Sequence, residues 1–213
     1  MRTSLNNYGR GPSEQDTLGA LIGNPSGLRV LDAACASGRL TSWLLEQGAS
    51  VVGLDLTAAM LDGAKARLAS RAGLVQADLA EPLPFGSASF DLVLSAFTLH
   101  YLADWNGPLQ EFQRVLTASG SLVVSVHHPF NDLPNATNGN YFQTAEAEDC
   151  WVDSQGAPRS VHFYRRPLSA MVESLHEAGF VVERILEAPP DHRQTTSEEP
   201  RMPWFLCFRA LKR

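Results

Sequence analysis

The sequence predicts an α/β protein whose parallel sheet is covered by helices on both faces. Three observations predict it. Short runs apolar on both faces alternate with segments whose apolar residues recur at helical spacing, the pattern of strands buried between two helix layers. The first three of these runs each close on a carboxylate, at Asp32, Asp55 and Asp78. Between the first run and the helix after it stand the small residues Ala33-Ala34-Cys35-Ala36-Ser37, followed by Gly38.

The elements follow in order. Residues 1–12 read as an arm rich in Asn, Gly and Arg. Pro12-Ser13-Glu14-Gln15-Asp16 then carries helix-start signals, with Ser13 as cap and acids in the first turn, and Asn24-Pro25-Ser26-Gly27 ends that helix. A first strand, Leu28–Asp32, leads to a helix near 38–47 on which Leu40, Trp43 and Leu44 share a face, with Gly48 as its stop. A second strand runs through Val51-Val52-Gly53-Leu54 to Asp55. Thr57 caps the next helix, where Met60, Leu61, Ala64 and Leu68 make the expected buried stripe.

Leu74–Asp78 is the third strand and Phe90–Ser95 the fourth. His100 and Tyr101 are expected to start the helix that carries Leu109, Phe112, Val115 and Leu116, ahead of a fifth strand at Ser121–Val126. From Pro129 to Ser160 the periodicity breaks. That stretch is polar, with Asn131, Asn135, Asn138 and Asn140, yet punctuated by Tyr141, Phe142 and Trp151, and it reads as a lid or substrate insertion. A helix then starts at Pro167, with Leu168, Met171, Val172 and Leu175 on one face, and Gly179 closes it. Two strands, Phe180–Leu186 and Trp204–Leu211, finish a single domain over 1–213, with an arm and helix at 1–27 and the insertion at 129–160.

Composition narrows the function classes. At 213 residues and 44% hydrophobic content the chain can build one substantial core. No apolar run reaches the roughly 20 residues that cross a bilayer, and the first residues lack a secretion signal, so the expected address is cytoplasmic. Cys35, Cys150 and Cys207 are widely spaced, with no CxxC pair, and read as small apolar residues rather than a disulfide or zinc framework. Net charge is −6 and the nearest thing to a basic patch is Arg165-Arg166, which argues against a nucleic-acid partner.

A buried strand that ends in a carboxylate and passes through small residues into a helix N-terminus is how such sheets receive a nucleoside-bearing cofactor. The pieces Val30–Gly38, Leu83 to Trp105, Ser125–Phe130 and Arg166–Phe180 together resemble class I S-adenosylmethionine-dependent methyltransferases. The likeness is to the small-molecule branch (methyltransferase type 11), whose chains show "VLDxGCxxG", "LPFxxxSFDLVxSxxxLHYLxDW", "SVHHPF" and "RPLxxxxxxLxxAGF". It covers nearly the whole chain from Leu28 onward.

That resemblance implies a Rossmann-like, doubly wound seven-stranded sheet in order 3-2-1-4-5-7-6, last strand antiparallel, with the insertion after strand five. It also implies S-adenosylmethionine as cofactor, S-adenosylhomocysteine as product, and no metal. Carried over by position, Asp32 and the loop with Ala34, Ala36 and Gly38 lie under the methionine and ribose portions. Asp55 accepts hydrogen bonds from the ribose hydroxyls, with Leu56 beside it; Asp78 and the Leu79 backbone meet the adenine edge, and Met60 packs on adenine. Ser95 and Ala96 lie near the methionine amino group. Singly, each Asp also reads as a turn or cap residue. One departure stands out: Ala34 and Ala36 occupy places where the family pattern usually has glycine, and an alanine forced to positive φ is strained by about 1 kcal/mol.

A nicotinamide cofactor would also suit an acid after the second strand, but Gly38 is the loop's sole glycine and G-x-G-x-x-G is absent. Methyl transfer is an in-line displacement that needs alignment and dryness, and a base only when the nucleophile arrives protonated. The candidates close strands four and five. His128, of His127-His128-Pro129-Phe130, is a base, a substrate anchor or a structural histidine; His100 touches substrate or packs. Tyr141, Phe142 and Trp151 cover an acceptor or anchor their loop, and Tyr8 is a candidate to close over the cofactor from the arm.

The expected activity is methyl transfer to an O, N or C atom of a small molecule, by a monomer or homodimer with no nucleic-acid or membrane partner. The alternative is a module that binds S-adenosylmethionine or S-adenosylhomocysteine without transfer and acts through partners.

Overall fold

The computed structural model describes residues 14–130, 139–152, 158–187 and 203–213. The Ser13 cap, Tyr8, the asparagines at 131, 135 and 138, and the Trp151 and Cys150 side chains lie outside the described residues.

Chain order is α1 (Glu14–Ile22), β1 (Arg29–Ala33), α2 (Arg39–Glu46), β2 (Ser50–Asp55), α3 (Ala58–Leu68), β3 (Gly73–Gln76) and β4 (Phe90–Ala96). A 3-10 turn over Leu99–Tyr101 precedes α4 (Asn106–Val115) and β5 (Leu116–His127). Then come β6 (Ala145–Val152), β7 (Pro158–Arg165), α5 (Leu168–Glu177), β8 (Phe180–Glu187) and β9 (Phe205–Lys212).

Seven strands form one sheet in the order β3-β2-β1-β4-β5-β9-β8. The first five are parallel, whereas β9 runs antiparallel to both β5 and β8. With β8 and β9 as the sixth and seventh strands, this is the expected order. Apolar side chains alternate between two cores. Val30, Val51, Leu92 and Leu94 pack with Leu18 and Leu21 of α1 and Leu40 and Leu44 of α2. Leu31, Leu54, Val93 and Leu122 pack with Leu109 and Phe112 of α4 and Met171 and Leu175 of α5. Helices on both faces leave the carboxyl edge of the parallel strands as the open end where loops gather.

Several local expectations need correction. Met60 does not belong to the buried stripe of α3, which is Leu61, Ala64 and Leu68; Met60 is 47% exposed. His100 and Tyr101 do not begin α4, which starts at Asn106; their short turn is closed by Tyr101 N–H to Thr98 O and Leu102 N–H to Leu99 O. Leu116 opens β5 rather than ending α4.

The segment read as irregular holds a two-stranded antiparallel ribbon, β6–β7, paired from Ala145↔Arg165 to Val152↔Pro158 and separate from the main sheet. Within it Ala147 and Phe163 are buried partners, while Glu146, Glu148 and His162 stand exposed. The alternation is present in Ala145-Glu146-Ala147-Glu148, but alanine and glutamate are weak strand formers and masked it. Arg165 holds the ribbon's foot: it is 4% exposed and donates to the carbonyls of Pro129 (2.9 Å), Tyr141 (2.9 Å) and Gln143 (2.7 Å). No helix among the described residues is long and apolar enough to cross a membrane.

Candidate active site

The turn after β1 is built on left-handed backbone. Ala34, Ala36 and Gly38 have φ of 69°, 47° and 77°. The two alanines thus adopt the conformation that glycine takes without penalty. At Gly38 a side chain would also collide: a Cβ there would stand 2.9 Å from Leu68 Cδ1. Cys35 N–H donates to Leu54 O (2.8 Å), pinning the turn to β2, and Gly53 makes room for the Cys35 sulfur, which an added Cβ would approach to 2.9 Å.

Asp55 closes β2 beneath this turn. One carboxylate oxygen accepts the Ala36 N–H and the other the Thr57 N–H, each at 2.9 Å. The carboxylate therefore orders the loop and the entry to α3, and each oxygen keeps a further lone pair. Leu56, next in sequence, is 60% exposed, and with Met60 it leaves apolar surface open beside the carboxylate. Asp78 lies beyond the paired part of β3, half-buried, and accepts the Ala80 N–H at 2.9 Å; Leu79 is buried. Gln76 Nε2 reaches Leu56 O at 3.0 Å, joining the ends of β2 and β3.

Asp32 is 1% exposed and accepts the Thr41 hydroxyl at 2.5 Å. Burial pushes its pKa up to about 6, against the Thr41 hydrogen bond, with the charge of Glu14 adding to the rise. Glu14 arrives from α1: Ser125 Oγ donates to one oxygen (2.8 Å) and Arg39 pairs with the other (2.9 Å). Its pKa is also raised, by burial first, with the Ser125 and Arg39 contacts opposing. On β4, Ser95 is fully buried and its hydroxyl has no hydrogen-bond partner among the described residues; Ala96 is half-buried.

The histidines divide by environment. His128 is 3% exposed, with Nδ1 accepting the Phe130 N–H (3.3 Å) and Nε2 2.8 Å from Glu187 Oε1. Since Nδ1 accepts, the proton sits on Nε2 and both nitrogens are engaged. His100 is equally buried, yet neither ring nitrogen has a partner among the described residues, and its ring stacks on His127 at 4.1 Å and 21°. Tyr141 is tied to the fold: its hydroxyl accepts the Leu168 N–H (3.0 Å) and its ring lies 5.0 Å from the Arg165 guanidinium carbon, whereas Phe142 is 82% exposed. Among the described residues no group of three His, Cys, Asp or Glu gathers as metal ligands.

A family model described as a methyltransferase domain matches residues 31–124, from β1 into β5. Residues 31–124 thus match a methyltransferase domain, and solved structures similar in fold include S-adenosylmethionine-dependent methyltransferases. An uncharacterized methyltransferase of Synechocystis is 37% identical over 128 residues, 59% of each chain. An S-adenosylmethionine-dependent methyltransferase from Mesorhizobium loti superposes with TM-score 0.73 at 26% identity, over 92% of this chain and 96% of that one. A Burkholderia thailandensis 1,6-didemethyltoxoflavin-N1-methyltransferase, solved with 1,6-didemethyltoxoflavin and S-adenosylhomocysteine bound, shares the fold at 21% identity and TM-score 0.65, over 93% of this chain and 76% of that one. The chain spans about half the length of the curated relatives it matches.

In this fold the turn after β1, Asp55 and the ends of β3 and β4 share one sheet edge. Sequence reasoning missed three residues there. Glu14 sits in a helix that the motifs leave out and reaches Ser125 only through the fold. His127 was passed over for its neighbour His128, since alternation along a strand says that two neighbours point apart but not which faces which side. Phe97 has φ 47° at the end of β4, a conformation that no residue-type signal announces.

Proposed function

We propose that this chain transfers a methyl group from S-adenosylmethionine to a small-molecule acceptor by in-line displacement. The observation that carries the reading is Asp55: a carboxylate at the tip of β2, hydrogen-bonded to the left-handed turn after β1, with acceptor capacity in reserve beside open apolar surface. That donor and acceptor set fits a nucleoside. Asp55 would bind the ribose hydroxyls, Leu56 and Met60 would flank the adenine, and Asp78 with the Leu79 backbone would meet its edge. Asp32 and the Ala34–Gly38 turn would lie under the ribose and methionine portions, and Ser95 and Ala96 would face the amino-acid end. The unpartnered Ser95 hydroxyl supports a polar neighbour there.

When bound, the sulfonium supplies an activated methyl group; the chain's own residues supply alignment and exclusion of water. Nothing in the geometry favours a binding module without transfer. Titration calorimetry with S-adenosylhomocysteine tests the reading. Asp55→Ala is expected to weaken binding at least tenfold, the loss of two hydrogen bonds to a charged acceptor. No heat with the unaltered protein, or equal affinity in the variant, would overturn it.

A further inference from the structure

Two features at the carboxyl end of β4 find no use in cofactor binding. One is His100, 2% exposed, with both ring nitrogens unpartnered among the described residues. A neutral imidazole carries one donor and one acceptor, and leaving both idle in a buried site is a standing cost. The other is Phe97, whose φ of 47° is rare for a bulky residue and persists only where neighbours enforce it. Here they do: the Phe97 N–H donates to both Ser125 O and Ser125 Oγ at 3.0 Å, and Ser125 Oγ donates onward to Glu14. So held, the Phe97 ring meets His100 and His127 edge-on, at 6.0 and 5.7 Å.

The His100 ring stacks on His127 at 4.1 Å, packs tilted against Tyr101 at 4.2 Å, and meets Phe163 of the ribbon edge-on at 6.3 Å. Both its nitrogens lie within this aromatic setting without a hydrogen-bond partner among the described residues. We propose that His100 binds the methyl acceptor, and that this acceptor is an uncharged planar molecule with a weakly acidic O–H or N–H of the phenol, enol or azole class. The proposal rests on the methyl-transfer reading above. An aromatic setting suits a flat molecule. Burial first, then His127 and Arg166, hold the His100 pKa well below its ordinary value, so the ring offers a lone pair and not an ion. The positive field of Arg166, whose guanidinium is committed to the Leu102 and Ala103 carbonyls, disfavours a cationic amine.

As the acceptor's lone pair forms the bond to the methyl carbon, the carbon–sulfur pair stays with sulfur. The acceptor's proton is held in a hydrogen bond to the His100 nitrogen and leaves to solvent once the new bond has formed. The positive charge that sulfur loses leaves with that proton, so the ring stays neutral throughout and serves as a hydrogen-bond acceptor. His128 cannot take this part while both its nitrogens are engaged.

Protein labelled with 15N-histidine is titrated with p-cresol, with and without S-adenosylhomocysteine, using 4-methylanisole as the hydroxyl-free control. The His100 ring-nitrogen resonances are expected to shift with p-cresol and not with 4-methylanisole. His100→Phe is expected to weaken p-cresol binding at least tenfold while leaving S-adenosylhomocysteine affinity within twofold. Unmoved His100 signals in the unaltered protein, or equal p-cresol binding in the variant, would overturn the proposal. If the unaltered protein fails to bind S-adenosylhomocysteine, the methyl-transfer reading falls, and the p-cresol arm run alone still decides what His100 does.

Discussion

At Ala34 and Ala36 the chain tolerates a side chain where backbone geometry asks for none. Both residues have positive φ, and Ala36 is exposed. The left-handed region costs an alanine about 1–2 kcal/mol, partly offset by the smaller entropy that an unfolded alanine has to lose. Ala36→Gly should therefore raise stability, by about 0.5–1 kcal/mol. Urea unfolding followed by circular dichroism would register it as a higher midpoint at unchanged slope. A lower midpoint would mean that the turn is not strained. These two residues could be singled out in the sequence because they break a motif. Phe97, equally unusual in φ, breaks none and emerges only in three dimensions.

Among the elements, the β6–β7 ribbon stands apart from the seven-stranded sheet. It pairs with no strand of the main sheet, and Arg165 ties its foot to three carbonyls from Pro129, Tyr141 and Gln143. Hydrogen bonds from a charged donor are worth about 1.5–3 kcal/mol each where the partners would otherwise go unpaired. Arg165→Met is expected to speed amide exchange across residues 145–165 by at least tenfold, with the strands of the main sheet unchanged. Hydrogen exchange read by mass spectrometry distinguishes this from global loosening, in which both would accelerate. The ribbon's Phe163 lies against His127 at 5.0 Å, so an altered ribbon should also be felt at the histidine stack.

For the whole molecule, stability depends on pH through the buried acids near the β1 edge. Asp32, with its pKa raised from 3.8 to about 6, binds its proton more tightly folded than unfolded. Glu14 is shifted in the same direction. Between about pH 4 and 6 the native state therefore holds more protons than the unfolded one, so stability falls as pH rises through that window and levels off above it. For Asp32 the change is up to about 3 kcal/mol, at 1.36 kcal/mol per unit. Asp91 and Glu111, whose values their arginine partners lower, act in the opposite sense as more exposed groups. Asp32→Asn is expected to flatten the decline, measured as the urea midpoint at pH 4, 5, 6 and 7. An unchanged slope would place the coupling elsewhere.

The alternation of strands and helices was legible in the residues, because hydrophobic period is a local property that each segment carries with it. The carboxylates at Asp32, Asp55 and Asp78 were legible for the same reason: each follows directly on its apolar run. Other outcomes depended on partners far along the chain. Glu187, 59 residues away, engages His128, while His100, with the same ring chemistry, is buried by Tyr101, His127 and Phe163 with neither nitrogen partnered among the described residues. Glu14 meets Ser125 across 111 residues. Packing assigns such roles, since a side chain's charge state and free hydrogen bonds follow from what folds against it rather than from what adjoins it.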